Sequence, residues 1–223
     1  MDFLLAAAFG AGLLAGIVHA LTGPDHLAAI APLSLERRSG AWRIGLSWGL
    51  GHSGGVWVLS VLALGLRGAV PTAVLSHWGE RLVGAVLVAI GVWSCRRALR
   101  SRIALPLSAP GDSFSFRAEA DRAGRTHRHP APLGIGLLHG VAGSHHFLAA
   151  LPVLALPNGA AAAGYIGGFG LGAILGMAFF SWVLGKWVSR PITPGSRGFR
   201  AARLATGGFA IGIGVFWLWT GGM

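Results

Sequence analysis

Two short segments of this chain place metal-ligating side chains inside apolar sequence. The first segment, HALTGPDHL, follows sixteen residues, 3–18, that include no charged or polar side chain. The second segment, HGVAGSHH, lies in the other half of the chain. Together they supply five imidazoles and one carboxylate: His19, Asp25, His26, His139, His145 and His146. Burying such groups in hydrocarbon costs several kcal/mol each, which points to a function that retains them.

The ligand types indicate which ions could bind here. Neutral imidazole is a good ligand for nickel, cobalt, copper and zinc, whereas magnesium and calcium prefer sites made of oxygen. A lone histidine in a membrane helix more often only hydrogen-bonds a neighbouring helix. The histidines fall in two matched groups, and we expect Asp25 to be the only acid in any span. This pattern favours a transition-metal site. His52, in WGLGHSGG, is either a further ligand or a residue that makes a packing hydrogen bond.

The spacing of the first segment predicts a break in its helix. In an unbroken helix His19 and His26 would lie about 10.5 Å apart along the axis, too far to share one ion. Gly23-Pro24 is a natural break because proline removes a helix hydrogen bond. We expect Thr22 to cap the new helix, with Pro24 and Asp25 in its first turn. His19 would then fold back toward His26.

The composition is that of an integral membrane protein. Of the 223 residues, 53% are hydrophobic and 11% are charged, against roughly 25% charged in soluble domains. The net charge of +11 does not indicate nucleic-acid binding, because the arginines lie between apolar segments rather than along one face. The one cysteine, Cys95, excludes a disulfide within the chain. The absence of a basic stretch before residue 3 favours a mature helix over a signal peptide.

The apolar runs predict six spans and a topology. The spans fall at roughly 3–33, 42–66, 79–95, 132–156, 160–187 and 200–221. The connections after spans 1, 3 and 5 hold sixteen of the Lys and Arg residues, and those after spans 2 and 4 hold two. By the positive-inside rule both termini lie on the non-cytoplasmic side of the cell (inner) membrane.

The two halves of the chain resemble each other. GIVHALTGPDHLAAIAPLSL at Gly16 aligns with GLLHGVAGSHHFLAALPVLA at Gly136, which preserves the H-x5-[D/H]-H spacing. Two further pairs follow in the same order: WGLGHSGG with FGLGAILG, and GAVLVAIGVW with GGFAIGIGVF. Three spans per half force the second half to insert upside down. We therefore expect an all-α membrane protein built from two inverted three-helix repeats, with the first helix of each repeat kinked or broken and the ligand site where the repeats meet.

The expected division of the chain is a first repeat at 1–95, a basic cytoplasmic linker at 96–131 and a second repeat at 132–223. The linker is rich in Arg, Ser, Pro and Ala, and we interpret His127 and His129 as solvated loop residues. His77 is also expected in a loop. The sequence leaves open a homo-oligomer and a metallochaperone that docks on the linker.

HALTGPDHLAAIAPLS together with GLSWGLGHSGG resembles the nickel/cobalt transporter family (NiCoT/NicO), in particular its urease-accessory UreH-like branch. The resemblance implies a polytopic permease for Ni²⁺ or Co²⁺, with the metal as transported substrate and no prosthetic group. It implies that His19, Asp25 and His26 carry the metal, with His52 as a further ligand. The family's pattern is H-x4-D-H with a second acid, whereas this chain has H-x5-D-H preceded by Gly-Pro.

Other functions fit the sequence less well. A thiol-relay oxidoreductase needs a cysteine in each half, and a membrane hydrolase needs a base beyond the metal ligands. We therefore expect a transporter and not an enzyme. A permease for zinc, iron or manganese and a small-solute exporter of the same architecture remain as alternatives.

Overall fold

The computed structural model describes residues 2–37, 40–65, 72–100, 131–142, 152–153, 155–189 and 196–220. Within those ranges the chain is helical and has no strand. The helices are α1 (Asp2–Thr22), α2 (Pro24–Glu36), α3 (Trp42–Gly65), α4 (Thr72–Arg100), α5 (Ala131–Ala142), α6 (Gly159–Ser189) and α7 (Arg197–Thr220). His127, His129, His145 and His146 lie outside the described residues, as does most of the linker.

Four helical stretches are long and apolar enough to cross a membrane by length and composition: Phe3–Thr22, Trp78–Arg100, Gly159–Lys186 and Arg197–Thr220. The outer faces of these helices are also apolar. Phe3 is 88% exposed, Trp219 72% and Leu14 64%. Exposed apolar surface on this scale needs a nonpolar environment. The protein is thus an all-helical membrane protein.

The first apolar run is divided at Gly23. α1 ends at Thr22 and α2 begins at Pro24, while Gly23 adopts an extended conformation with φ −71° and ψ 108°. Pro24 has no N–H to continue the helix, and the residue before a proline is disfavoured in the α conformation. The break therefore occurs where the sequence predicts it.

Thr22 does not cap α2, and that expectation is wrong. Its hydroxyl donates to the carbonyl of Val18 at 2.8 Å, within α1. Gly23 occupies the N-cap position and makes no side-chain cap bond. The threonine is thus satisfied by its own helix.

The third span is longer than expected. α4 begins at Thr72 rather than at residue 79 and continues to Arg100, five residues into the segment assigned to the linker. His77, expected in a loop, falls within this helix. The polar pair Ser76-His77 interrupts the apolar run, but neither residue breaks a helix as Gly or Pro would.

Glycines allow the first helix of each half to pack tightly against the second helix of the other half. Gly16 of α1 lies against the backbone carbonyl of Phe169 in α6, and Gly136 of α5 lies against that of Trp48 in α3. A Cβ at either glycine would collide with that carbonyl. Four glycines of α6, spaced four residues apart, all lie against α1: Gly164, Gly168, Gly172 and Gly176. Small residues at helix contacts are how membrane helices approach closely.

The last helices of the two halves pack against each other. Gly84 of α4 lies against the carbonyl of Gly214 in α7, and Gly214 lies in turn against the carbonyl of Gly84. Gly91 and Gly207 form a second pair of the same kind. From the first pair to the second, the residue number rises in α4 and falls in α7. The two helices are therefore antiparallel.

Candidate metal centre

The break at Gly23 brings two histidines of the first segment together. His19, near the end of α1, and His26, in the first turn of α2, have their Nε2 atoms 2.9 Å apart. Gly23 itself is in contact with the His26 ring, since a Cβ there would collide with that imidazole. The two residues can therefore offer nitrogens to a single ion.

His52 on α3 completes a first group with these two residues. The ligand atoms of His19, His26 and His52 all lie within 4.8 Å of one another. The His26 and His52 ring centroids are 4.9 Å apart, and those of His19 and His52 are 5.8 Å apart. Sequence reasoning left the role of His52 undecided, and the structure places it within this group.

Asp25, His26 and His139 form a second group that shares His26 with the first. Their ligand atoms also lie within 4.8 Å of one another. One Asp25 oxygen, Oδ2, lies 2.8 Å from Nε2 of His139, and the other, Oδ1, lies 3.8 Å from Nδ1 of His26. His139 comes from α5, so this group joins the two halves of the chain across 114 residues of sequence.

Close packing of α3 on α5 positions His52 beside His139. Gly140 of α5 lies against the backbone carbonyl of His52, which leaves no room for a side chain between the helices. The ring centroids of His52 and His139 are consequently 5.8 Å apart. The glycine next to His139 thus admits the neighbouring helix and allows His52 to approach.

The cluster lies in the interior of the helix bundle. His26, His52 and His139 are 1%, 0% and 3% exposed. The Trp48 indole stacks on His52 at 5.2 Å with an interplanar angle of 11°, and it also touches His26 and His139. Phe169 lies against His19 at 5.3 Å. Aromatic surfaces therefore surround the imidazoles and exclude water from this side.

A cavity of about 610 Å³ reaches the cluster from another side. His19, Asp25 and His139 line it, together with residues of the break, the first half of α4 and the end of α7. Asp25 is 18% exposed, against 4% for the side chain of His139. An ion in this cavity would meet the carboxylate first and the deeper imidazoles afterwards.

Glu80 is a functional candidate that sequence reasoning missed. It lies in α4 and lines the same cavity as Asp25. The signal was present as a lone acid within an apolar run, but its place near the expected start of the span hid it. Asp25 is thus not the only carboxylate inside the apolar helices.

The donor set suits a borderline divalent cation. Four imidazoles and one carboxylate converge from α1, α2, α3 and α5. Such nitrogen-rich sites favour nickel, cobalt, copper or zinc over magnesium or calcium. Donors that lie close together before any ion binds reduce the reorganisation that binding requires.

Comparison with known proteins gives three relatives. The chain is 34% identical to the chloroplast protein FOR GROWTH AND FERTILITY 1 of Arabidopsis thaliana over 180 residues, which are 78% of this chain and 48% of the relative. FOR GROWTH AND FERTILITY 2 of the same plant is 32% identical over 179 residues, 78% of this chain and 46% of the relative. The chain spans about half the length of these plant proteins.

The third match bears on the site. The urease accessory protein UreH of Bacillus sp. (strain TB-90) is 26% identical over 186 residues, which are 78% of this chain and 74% of the relative. This chain is a distant homologue of UreH. The similarity agrees with the branch to which the histidine motifs point. No protein-family model and no solved structure matches the chain.

Proposed function

We propose that this protein transports a divalent transition metal, Ni²⁺ or Co²⁺, across a membrane through the cluster of His19, Asp25, His26, His52 and His139. The expected His145 and His146 remain part of the proposal as further ligands. The metal is the substrate and not a resident cofactor. The proposed activity is transport without chemical conversion of the ion.

The observation that carries the proposal is the convergence of these groups beside a cavity in an apolar helix bundle. Buried imidazoles with no function would cost stability. They come from helices of both halves, and His139 and Asp25 meet across the boundary between the halves at 2.8 Å. A site at that boundary is where a relative movement of the halves would change its access.

The helix contacts support two inverted repeats. An offset of 120 residues pairs Gly16 with Gly136, and an offset of 121 pairs Trp48 with Phe169. The contact of Gly16 with Phe169 and that of Gly136 with Trp48 are therefore counterparts. The reciprocal contacts between α4 and α7 fit the same pseudo-two-fold axis. We propose six spans arranged in this way, with the first helix of each repeat kinked or broken.

The charge distribution supports an orientation. Three tryptophans carry a cation over their rings where α3 begins and where α4 and α6 end: Trp42 with Arg43, Trp93 with Arg97, and Trp182 with Lys186. Tryptophan and basic residues anchor helices at a membrane interface, and basic residues favour the cytoplasmic side. We propose that this end is cytoplasmic in the cell (inner) membrane, with both termini on the opposite side.

The choice of nickel or cobalt rests on two supports. The first is the resemblance of HALTGPDHL and WGLGHSGG to the nickel/cobalt transporter family, and the second is the similarity to UreH. The imidazole-rich donor set accepts both ions. Zinc, iron and manganese are the other metals to test.

The test is the nickel and cobalt content of cells with and without expression of the protein, measured by mass spectrometry. A rise that His26→Ala abolishes would mean import, and a fall that it abolishes would mean export. Equal content of both metals in all three strains would overturn the nickel/cobalt proposal. The same comparison with zinc, iron and manganese would then separate another metal permease from a small-solute exporter.

A further inference from the structure

A second buried charged group lies at the other end of α2. Glu36, the last residue of that helix, accepts a hydrogen bond from Nη2 of Arg203 through Oε2 at 2.9 Å, and its Oε1 lies 2.8 Å from the same nitrogen in the ion pair. Nε of Arg97 lies 3.6 Å from the same carboxylate. The side chains of Glu36 and Arg203 are 15% and 10% exposed. One carboxylate therefore joins α2 to both α4 and α7.

The group is separate from the metal cluster but on the same helix. Asp25 and Glu36 are eleven residues apart on α2, about 16 Å along a helix axis. Pro32 lies inside the helix between them, yet α2 continues to Glu36. A displacement of α2 would move the metal ligands and the ion pair together.

The cavity and this ion pair lie at different ends of α4 and α7. It is lined by Glu80 in the first half of α4 and by Thr220 at the end of α7. Glu80 and Arg97 are seventeen residues apart, about 25 Å along α4. The cavity therefore lies where α4 begins, whereas the described residues near the end of α4 bring Glu36, Arg97 and Arg203 together.

The end of the bundle that holds the ion pair corresponds, in the proposed repeat, to the end that holds the cavity. The alignment of Gly84 with Gly207 has an offset of 123 residues. The same offset aligns Glu80 with Arg203 in the sequence, and Arg97 with Thr220. Two residues of the ion pair, Arg97 and Arg203, thus align with residues that line the cavity at the other end.

We propose that Glu36, Arg97 and Arg203 form the closed gate of an alternating-access cycle. This inference rests on the proposed transport function. An ion pair suits a gate that must open repeatedly, because its charged groups exchange their mutual contact for water when they separate. A gate made of apolar side chains would instead expose those side chains to water each time it opened. Opening this end requires Glu36 to leave the arginines and α4 to part from α7.

Cys95 offers a native reporter of that movement. It is the only cysteine of the chain, it is half-buried, and it lies on α4 beside Ser94, whose hydroxyl donates to the carbonyl of Arg203 at 3.1 Å. A Cβ added at Gly207 of α7 would lie 2.8 Å from its sulfur. Separation of the two helices at this end would expose the thiol to water.

The experiment measures the rate at which a water-soluble maleimide labels Cys95 in the purified protein. Labelling is compared between wild type, Glu36→Gln and the matched control Arg100→Gln, which removes an exposed charge three residues beyond Arg97. Cys95→Ser gives the background. We expect Glu36→Gln to label about tenfold faster, because a buried arginine loses its partner. We expect the control to stay within about twofold, since an exposed charge contributes little.

Transport by the same variants decides between a gate and a structural contact. We expect Glu36→Gln to take up metal at least about fivefold more slowly into proteoliposomes, since more molecules rest with the gate open. Its affinity for Co²⁺ in detergent should stay within about threefold of wild type, because Glu36 is remote from the cluster. If Glu36→Gln leaves the labelling rate of Cys95 unchanged, the gate proposal is wrong. It is also wrong if labelling is faster but the rate of metal uptake is unchanged.

Two further measurements keep the test decisive. If Glu36→Gln does not fold, Arg203→Lys replaces it, because it keeps the charge but loses the guanidinium geometry that meets Glu36, and faster labelling is expected from it too. Glu36→Asp, which keeps the carboxylate, should label more slowly than Glu36→Gln, and equal labelling of these two variants would contradict the ion pair. Absence of metal uptake by wild type would refute the proposed function instead, whatever the labelling shows.

Discussion

Nε2 of His26 lies 2.9 Å from Nε2 of His19, although seven residues separate them along the chain. An unbroken helix would hold these two residues about 10.5 Å apart along its axis. The one extended residue at Gly23 removes that separation. The convergence of the candidate ligands therefore depends first on this break, and α3 and α5 add His52 and His139 to the group.

Gly23→Ala should weaken metal binding without unfolding the protein. A Cβ at this position collides with the His26 ring, so the imidazole must shift away from its neighbours. We expect about a tenfold loss of affinity, comparable to the loss of a positioning contact in other metal sites. Titration with Co²⁺, followed by absorbance, measures it. Gly10→Ala in α1 is the control, because a Cβ there meets nothing within 4 Å; equal affinity of the two variants would contradict the role of Gly23.

His26→Ala should lose more affinity than either His52→Ala or His139→Ala. His26 belongs to both three-residue groups, whereas each of the other two belongs to one. We expect about tenfold for each single-group variant and about 100-fold or more for His26→Ala. Calorimetric titration with Ni²⁺ gives the three values, with His127→Ala from the linker as control. If all three site variants bind as wild type does, the cluster is not the metal site.

Metal affinity should fall as the pH falls. An imidazole binds metal only when the coordinating nitrogen is unprotonated, and the ordinary pKa of imidazole is about 6.5. Below that pH, affinity should decline by about tenfold per pH unit for each imidazole that must lose a proton. Titrations between about pH 5.5 and pH 8 in buffers of different ionisation enthalpy would also detect the released protons. A pH-independent affinity without proton release would exclude imidazole ligation.

Two glycines of α5 should respond to alanine with opposite signs. Gly140 lies against the backbone of His52, so Gly140→Ala must push α3 away and should destabilise the fold by about 1–3 kcal/mol. Gly134 has nothing within 4 Å of an added Cβ, and Gly134→Ala should stabilise the helix by about 0.5–1 kcal/mol. Thermal unfolding in detergent measures both. A gain in stability for Gly140→Ala would mean that α3 and α5 are not in close contact.

Local chemistry made part of this structure predictable. Gly23-Pro24 specifies a break by backbone sterics alone, and the residue types in HALTGPDHL indicate candidate metal ligands. The apolar runs gave the approximate positions of the helices because burial in lipid requires a nonpolar surface. The first helical residue of α4 was missed, since Ser76-His77 interrupts apolarity without interrupting a helix.

Contacts between distant residues were beyond the sequence. Nothing local in the chain reveals that Glu36 pairs with Arg203, 167 residues away, because a charge at a span end is ordinarily solvated. The role of His52 likewise depends on the approach of α3 to α5, which a sequence pattern does not fix. Glu80 joins the cavity only because α4 packs beside the end of α5, where Gly79 lies against Ala142.

Flux into sealed vesicles measures whether the cluster carries a transition metal across a membrane. The purified protein is reconstituted into liposomes that contain an impermeant fluorescent chelator, and Ni²⁺ or Co²⁺ is added outside. We predict saturable entry with wild type and entry no faster than in protein-free liposomes with His26→Ala. If metal entry with wild type is also no faster than in protein-free liposomes for both metals, the cluster does not transport nickel or cobalt.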